Sequence, residues 1–382
     1  MLYHLSSYLM QFWGPFRMLQ SHALLLAGGT FTAALACWLL LPRLWAKLPR
    51  DHGKAILKDM DGMKSKGKPT GTGLVVSLVA LPVIVLFAPL AFWDLMAVFA
   101  LYLAMLFGYL DDRAAVPWGE LKKGLLDLVV SVAIAFFIFR GHAEHTSDGL
   151  KMIAWLPFVK GIWLIPGWTY VPLAAFLLWF TMNATNCSDG VDGLAGALTT
   201  ITLAMLAFTL YVVVGYRPVA HYFLIPVYAE AARWAIVVMV VAGAFAGYLW
   251  YNAEPSKILM GDAGSRFLGI LVATASMMTG NPFFVLFLAP VVLVNGGGGL
   301  VKLILLRFFR KCGLDVRPPS ILDPVEAERR NILVKVVQSV RFPLHDHCKK
   351  VLKWSNAQVL MRFMLLQAFL MPLIFVLFVK IR

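Results

Sequence analysis

Charge is the scarcest ingredient of this chain. Asp, Glu, Lys and Arg make up only 14% of its 382 residues, 60% are hydrophobic and the mean hydropathy is +0.77. Those values exclude a soluble globular domain and point to a polytopic membrane protein. Acid is scarcer than base, with 20 Asp and Glu against 34 Lys and Arg and a net charge of +14. Cysteine is rare as well. Cys37, Cys187, Cys312 and Cys348 fall in apolar runs or basic segments, so neither a disulfide framework nor a Cys/His zinc quartet is implied. No internal repeat is visible. Residues 1–21, with Phe12, Trp13 and Phe16 around Gly14-Pro15, lack the basic start and small-residue cleavage site of a signal peptide and read as an interfacial arm.

Apolar stretches long enough to cross a bilayer, roughly 17 to 25 residues, lie near 22–42, 71–91, 95–110, 124–140, 171–187, 194–215, 229–251, 264–280, 283–306 and 357–380. The expected fold is all-α, a single membrane-embedded domain of about ten transmembrane helices, and the continuous runs exclude a β-barrel. The stretches 95–110 and 264–280 are short and need shielding by protein or little tilt. Segment 43–68 carries eight Lys and Arg, and 307–355 carries eleven, so both are expected in the cytoplasm and both termini outside. Residues 140–170 are expected to form a small outer hairpin, 48–70 a substrate loop, and Pro324 to Gln338 an amphipathic helix. The run Asn295-Gly-Gly-Gly-Gly299 predicts a bend or a close helix contact in the ninth span.

The few acids lie at span ends. Asp111-Asp112, the polar run from Asn183 to Asp192, and Asp262, with Asn252 and the His345 segment, all fall on the cytoplasmic side once orientation is set by charge. Any one of these carboxylates alone reads as a solvated helix cap. Converging beside lysines and glycines, they suit a hard cation such as Mg2+, and magnesium in turn suggests phosphate. Met260-Gly-Asp-Ala-Gly-Ser265 opens a span, so its backbone N–H groups and Ser265 are expected to meet an anion there.

Asp111-Asp112, Asn183-x-x-Asn186-x-x-Asp189-Gly-x-Asp192-Gly, Asn252 followed by Met260-Gly-Asp262-x-Gly-Ser, and Pro343-Leu-His345-x-His347, in this order, resemble the polyprenyl-phosphate N-acetylhexosamine-1-phosphate transferases. The histidine loop is similar to that of the bacterial branch acting on N-acetylmuramoyl-pentapeptide. The resemblance covers nearly the whole chain, from Lys64-Ser-Lys-Gly-Lys-Pro-Thr70 to the last span. It implies transfer of phospho-MurNAc-pentapeptide from UDP-MurNAc-pentapeptide to undecaprenyl phosphate, giving lipid I and UMP, in the bacterial inner membrane with the site on the cytoplasmic face. Membrane lipids are expected partners, nucleic acid is not, and a homodimer is possible. By the same resemblance Asp262 is the magnesium ligand, Asp111 deprotonates or orients the lipid phosphate, and Asp112 supports one or both. Asn186, Asp189, Gly190, Val191 and Asp192 line the nucleoside pocket with Asn252 nearby. Lys123 and a lysine of the 64–68 group, Lys64 or Lys66, meet the diphosphate, and His345 and His347 complete the site.

The chain departs from the family pattern at Ala115, where a lysine is usual, at Asp346, which interrupts a histidine triplet, at Leu259, where an aromatic is usual, and at Arg266, which replaces leucine. Arg266 offers a positive charge in place of the one missing at Ala115. Two other readings stand beside this one: a sister transferase using UDP-GlcNAc or another UDP-sugar, and a transporter, which would place its acids near the bilayer midplane instead of at span ends.

Overall fold

The computed structural model describes residues 1–51, 65–114, 116, 118–143, 149–155, 161, 163–228, 230–317 and 331–380. Helix dominates. A short arm, α1 (Leu2–Leu9) and a 3-10 turn (Gly14–Gln20), precedes α2 (His22–Leu44), α3 (Thr72–Phe87), α4 (Phe92–Arg113) and α5 (Glu120–Ala143). Strands β1 (Lys151–Ala154) and β2 (Trp163–Pro166) pair antiparallel as the expected small hairpin. There follow α6 (Gly167–Ser188), α7 (Leu194–Val214, its last turn π-helical), α8 (Arg217–Tyr222), α9 (Ala231–Asn252), α10 (Gly261–Met277), α11 (Phe284–Leu288) and α12 (Pro290–Lys311). Helices α13 (Ile332–Ser339), α14 (Leu344–Lys350) and α15 (Asn356–Lys380) close the chain. Of the stretch expected to be an amphipathic helix, the part within α13 is helical and residues 324–330 lie outside the described residues.

Helix occupies all ten expected positions, and among the described residues seven helices are long and apolar enough to cross a membrane: those within His22–Lys47, Phe92–Arg113, Glu120–Ala143, Leu194–Val214, Ala231–Asn252, Pro290–Lys311 and Asn356–Leu377. Helix α10 is different in kind. Every residue from Ala263 to Met277 is buried, because α3, α4, α6 and α7 pack around it. A helix shielded from lipid need not be long, and it can carry hydroxyls: Thr274 and Ser276 donate to the carbonyls one turn back, at 2.7 and 2.8 Å. This explains the short, polar-tinged eighth stretch of the sequence.

Small residues set how deeply α10 sits. A Cβ on Gly73 of α3 would collide with the Gly264 backbone, and one on Gly108 of α4 would lie 2.5 Å from the Asp262 carbonyl oxygen. The backbones therefore touch at these crossings, as small-residue contacts between membrane helices do. The glycine run of α12 has the same role: Gly296 sits against the Ala184 carbonyl of α6, within a π-helical turn spanning Leu293–Gly297.

Candidate active site

Chain direction puts the polar ends together. The C-terminal ends of α4, α6 and α9 and the N-terminal ends of α5, α7 and α10 share one end of the bundle. Asp111, Lys123, Asn186, Asp192, Asn252 and Asp262 sit at those ends. At the centre, Asp112 accepts hydrogen bonds from the backbone N–H groups of Asp262 (3.0 Å) and Ala263 (3.1 Å). Gly261, at φ +71°, opens the turn that aims them. The anion at the N-terminus of α10 is thus the Asp112 carboxylate, and Ser265 donates to the Gly261 carbonyl at 3.0 Å. That corrects the expectation that these groups are free for an anionic ligand. Asp112 holds the Asp262 backbone in place.

The neighbouring charges alternate. Lys123 pairs with Asp111, and its Nζ lies 3.5 Å from Asp262 Oδ2. Arg266 reaches the same oxygen at 3.3 Å and pairs on its other side with Asp127 of α5. The order Asp111, Lys123, Asp262, Arg266, Asp127 runs from the helix ends into the core, where Arg266 and Asp127 are both buried. Asp111 also accepts the Trp118 N–H at 2.8 Å, and Asn186 reaches the Asp262 carboxylate.

A second cluster adjoins the first. Residues 69–73 dock on 259–260 through backbone hydrogen bonds, Leu259 to Pro69 at 2.8 Å, Thr72 to Leu259 at 3.2 Å and Gly73 to Met260 at 3.1 Å. This brings Lys68 within 2.9 Å of Ser256 Oγ and 3.8 Å of Asp192, whose carboxylate also accepts the Ser256 N–H at 3.2 Å. Asn252 is buried and ties the turn: its side-chain oxygen accepts from Gly193 N–H and its amide donates to the Ile258 carbonyl. Asp189 ends α6, Val191 is buried, and Gly190 faces the His345 ring so closely that a Cβ would strike Nε2. His345 is held from the other side by Asn295 of α12. Burial pushes its pKa down to about 4, against a smaller opposing pull from Asp346. His347 accepts the Arg341 N–H at 3.2 Å and so ties its own loop.

Among the lysines, Lys64 lies outside the described residues, Lys66 is exposed, and Lys68 is the one brought into the cluster. Asp127 and Asn295 also belong to the site although no motif of the sequence contains them as site residues. Asp127 follows Lys123 by four residues and therefore shares its helix face, a spacing that could have drawn notice; nothing local marks Asn295 as a partner of a residue fifty positions away.

Three carboxylates (Asp111, Asp127 and Asp262) pair with two cations (Lys123 and Arg266), and Asp112 lies beside them on the α10 backbone, so that by formal charge acid is in excess and a divalent cation would balance it. No three His, Cys, Asp or Glu side chains among the described residues form a ready metal cage. Magnesium does not need one, since it commonly takes one or two carboxylates and completes its shell with water and substrate phosphate. The oxygen donors present therefore fit Mg2+, and Asp262 is the residue that would hold it.

Comparison with known proteins agrees with this chemistry. Residues 95–280 match the family model "Glycosyl transferase family 4". The chain is 39% identical over 365 residues, 95% of its length and 92% of theirs, to proteins named phospho-N-acetylmuramoyl-pentapeptide-transferase from two strains of Treponema pallidum, one of them strain Nichols.

Proposed function

Because the chain belongs to the phospho-N-acetylmuramoyl-pentapeptide-transferase family, we propose that its charged cluster is where a UDP-linked sugar phosphate meets a polyprenyl phosphate. The protein is a multi-pass membrane transferase of peptidoglycan synthesis. Its donor is UDP-MurNAc-pentapeptide, its acceptor undecaprenyl phosphate, and its products lipid I and UMP. The reaction runs at the cytoplasmic face of a bacterial inner membrane, with both termini on the outer side, an orientation supported by the basic segments 43–68 and 307–355.

One observation carries the reading: Lys123 bridges Asp111 and Asp262 at the end of the bundle, next to the Lys68–Asp192 cluster. Joining two phosphates crowds negative charge, so catalysis rests on screening and in-line positioning. Magnesium held by Asp262 supplies part of that screening when bound. Lys123 and Lys68 meet the diphosphate, Asp111 orients the lipid phosphate or takes its proton, and Asp112 keeps Asp262 aimed. Residues 186–192 with Asn252 hold the nucleoside, and His345 closes that pocket over Gly190.

The test supplies purified protein with undecaprenyl phosphate, Mg2+ and, in separate reactions, UDP-MurNAc-pentapeptide and UDP-GlcNAc. UMP should appear only with the first donor. Release from UDP-GlcNAc alone would assign the chain to the sister chemistry, and release from neither would overturn the reading.

A further inference from the structure

Arg266 is a buried cation with two acidic neighbours of unequal standing. Its Nη1 lies 2.5 Å from Asp127 Oδ1 and its Nη2 3.3 Å from Asp262 Oδ2, and the Asp127 side chain is 1% exposed against 26% for Asp262. Attraction strengthens as distance and local dielectric fall, so Asp127 holds Arg266 more firmly than Asp262 does. The arrangement has a chemical consequence for the site: an arginine one helical turn from a metal-binding carboxylate competes with the metal for it. An acid on the far side of the guanidinium weakens that competition.

We infer that Asp127 and Arg266 are positioning residues that set how tightly Asp262 holds a divalent cation, with Asp127 drawing the guanidinium away from the Asp262 carboxylate. The inference rests on the reading of Asp262 as a magnesium ligand. Arg266 steadies Asp262 Oδ2 alongside Lys123. Asp127 offsets the charge of Arg266, so that the site keeps its excess of negative charge.

Two substitutions then act in opposite directions. In Asp127→Asn the buried guanidinium keeps only Asp262 as a charged partner and binds it more tightly. In the double variant Asp127→Leu/Arg266→Leu the whole pair is replaced by apolar groups, a change that buried ion pairs often tolerate, and Asp262 is relieved of one competitor. The experiment titrates Mn2+ into purified full-length protein, reading free Mn2+ by electron paramagnetic resonance, and in parallel measures the Mg2+ dependence of UMP release. Half-saturation should rise about tenfold in Asp127→Asn and fall severalfold in the double variant, in both assays. If Asp127→Asn does not fold, the double variant decides alone, since a purely packing role predicts unchanged half-saturation in whatever protein folds. Half-saturation in the double variant equal to or above that of the unaltered protein overturns the inference. Failure of the underlying reading looks different: Asp262→Asn would then bind Mn2+ with the half-saturation of the unaltered protein.

Discussion

His345 gives two hydrogen bonds to one atom, the Oδ1 of Asn295, from its backbone N–H at 2.8 Å and from ring Nδ1 at 3.1 Å. A backbone N–H can only donate, so the Asn295 amide must present its oxygen, and Nδ1 must then carry the proton. The tautomer of the neutral ring follows, with the Nε2 lone pair facing Gly190. Asn295 accepts this at a cost, because its own buried Nδ2 has no hydrogen-bond partner among the described residues.

That ring makes the fold sensitive to acid. Its folded pKa of about 4 lies below the ordinary 6.5, so between those values the unfolded chain binds the extra proton first. Stability from this group is complete above pH 6.5 and is lost as the pH falls toward 4, by on the order of 3 kcal/mol. In detergent, the Tm of the unaltered protein should drop more between pH 7 and about 4.5 than that of His345→Gln. Parallel drops would remove His345 as the cause.

The two acids that meet Lys123 should fail differently. Asp262→Asn should leave less than about a tenth of the UMP release while binding of a nucleoside inhibitor persists, since charge stabilisation by a bound metal is worth several kcal/mol. Asp111→Asn should lose turnover strongly near pH 6 and regain part of it as the pH rises, because the lipid phosphate, with a second ionisation near pH 6, then ionises unaided. Complete inactivity of Asp111→Asn from pH 6 to 9 would point to a covalent role for Asp111.

Two glycine-to-alanine changes should have opposite signs. At Gly73 the added methyl meets the Gly264 backbone, which cannot move without displacing the N-terminal end of α10, so a loss of about 1–3 kcal/mol and of activity is expected. At Gly124, within α5, a Cβ meets nothing within 4 Å, and alanine should stabilise by about 0.5–1 kcal/mol. Thermal unfolding of the two variants checks this directly, and equal effects would refute the close α3–α10 crossing.

Sidedness is tested by single cysteines in a background with Cys187 and Cys312, both exposed, changed to serine. A probe at exposed Lys66 should be labelled only from the cytoplasm and one at exposed Leu150 only from outside. Labelling of Lys66→Cys from outside would move the site to the other face.

Hydropathy and charge bias by themselves determined the class of the fold, the positions of its ten helical stretches, and a set of acids at their ends. Those signals are local: a helix in lipid must satisfy its own backbone, and basic segments resist translocation. Side-chain partnership across the bundle is not local. Only the tertiary structure decided that Asp112 caps α10 from 150 residues away, that Lys68 is the lysine of its group that joins Asp192, and that Arg266 is shared between Asp127 and Asp262. It also decided that Asn295, set in a glycine run that reads as a weak point of a helix, orients His345. Each of these depends on how closely helix backbones approach, and that is set at Gly73, Gly108 and Gly296 by the absence of a side chain.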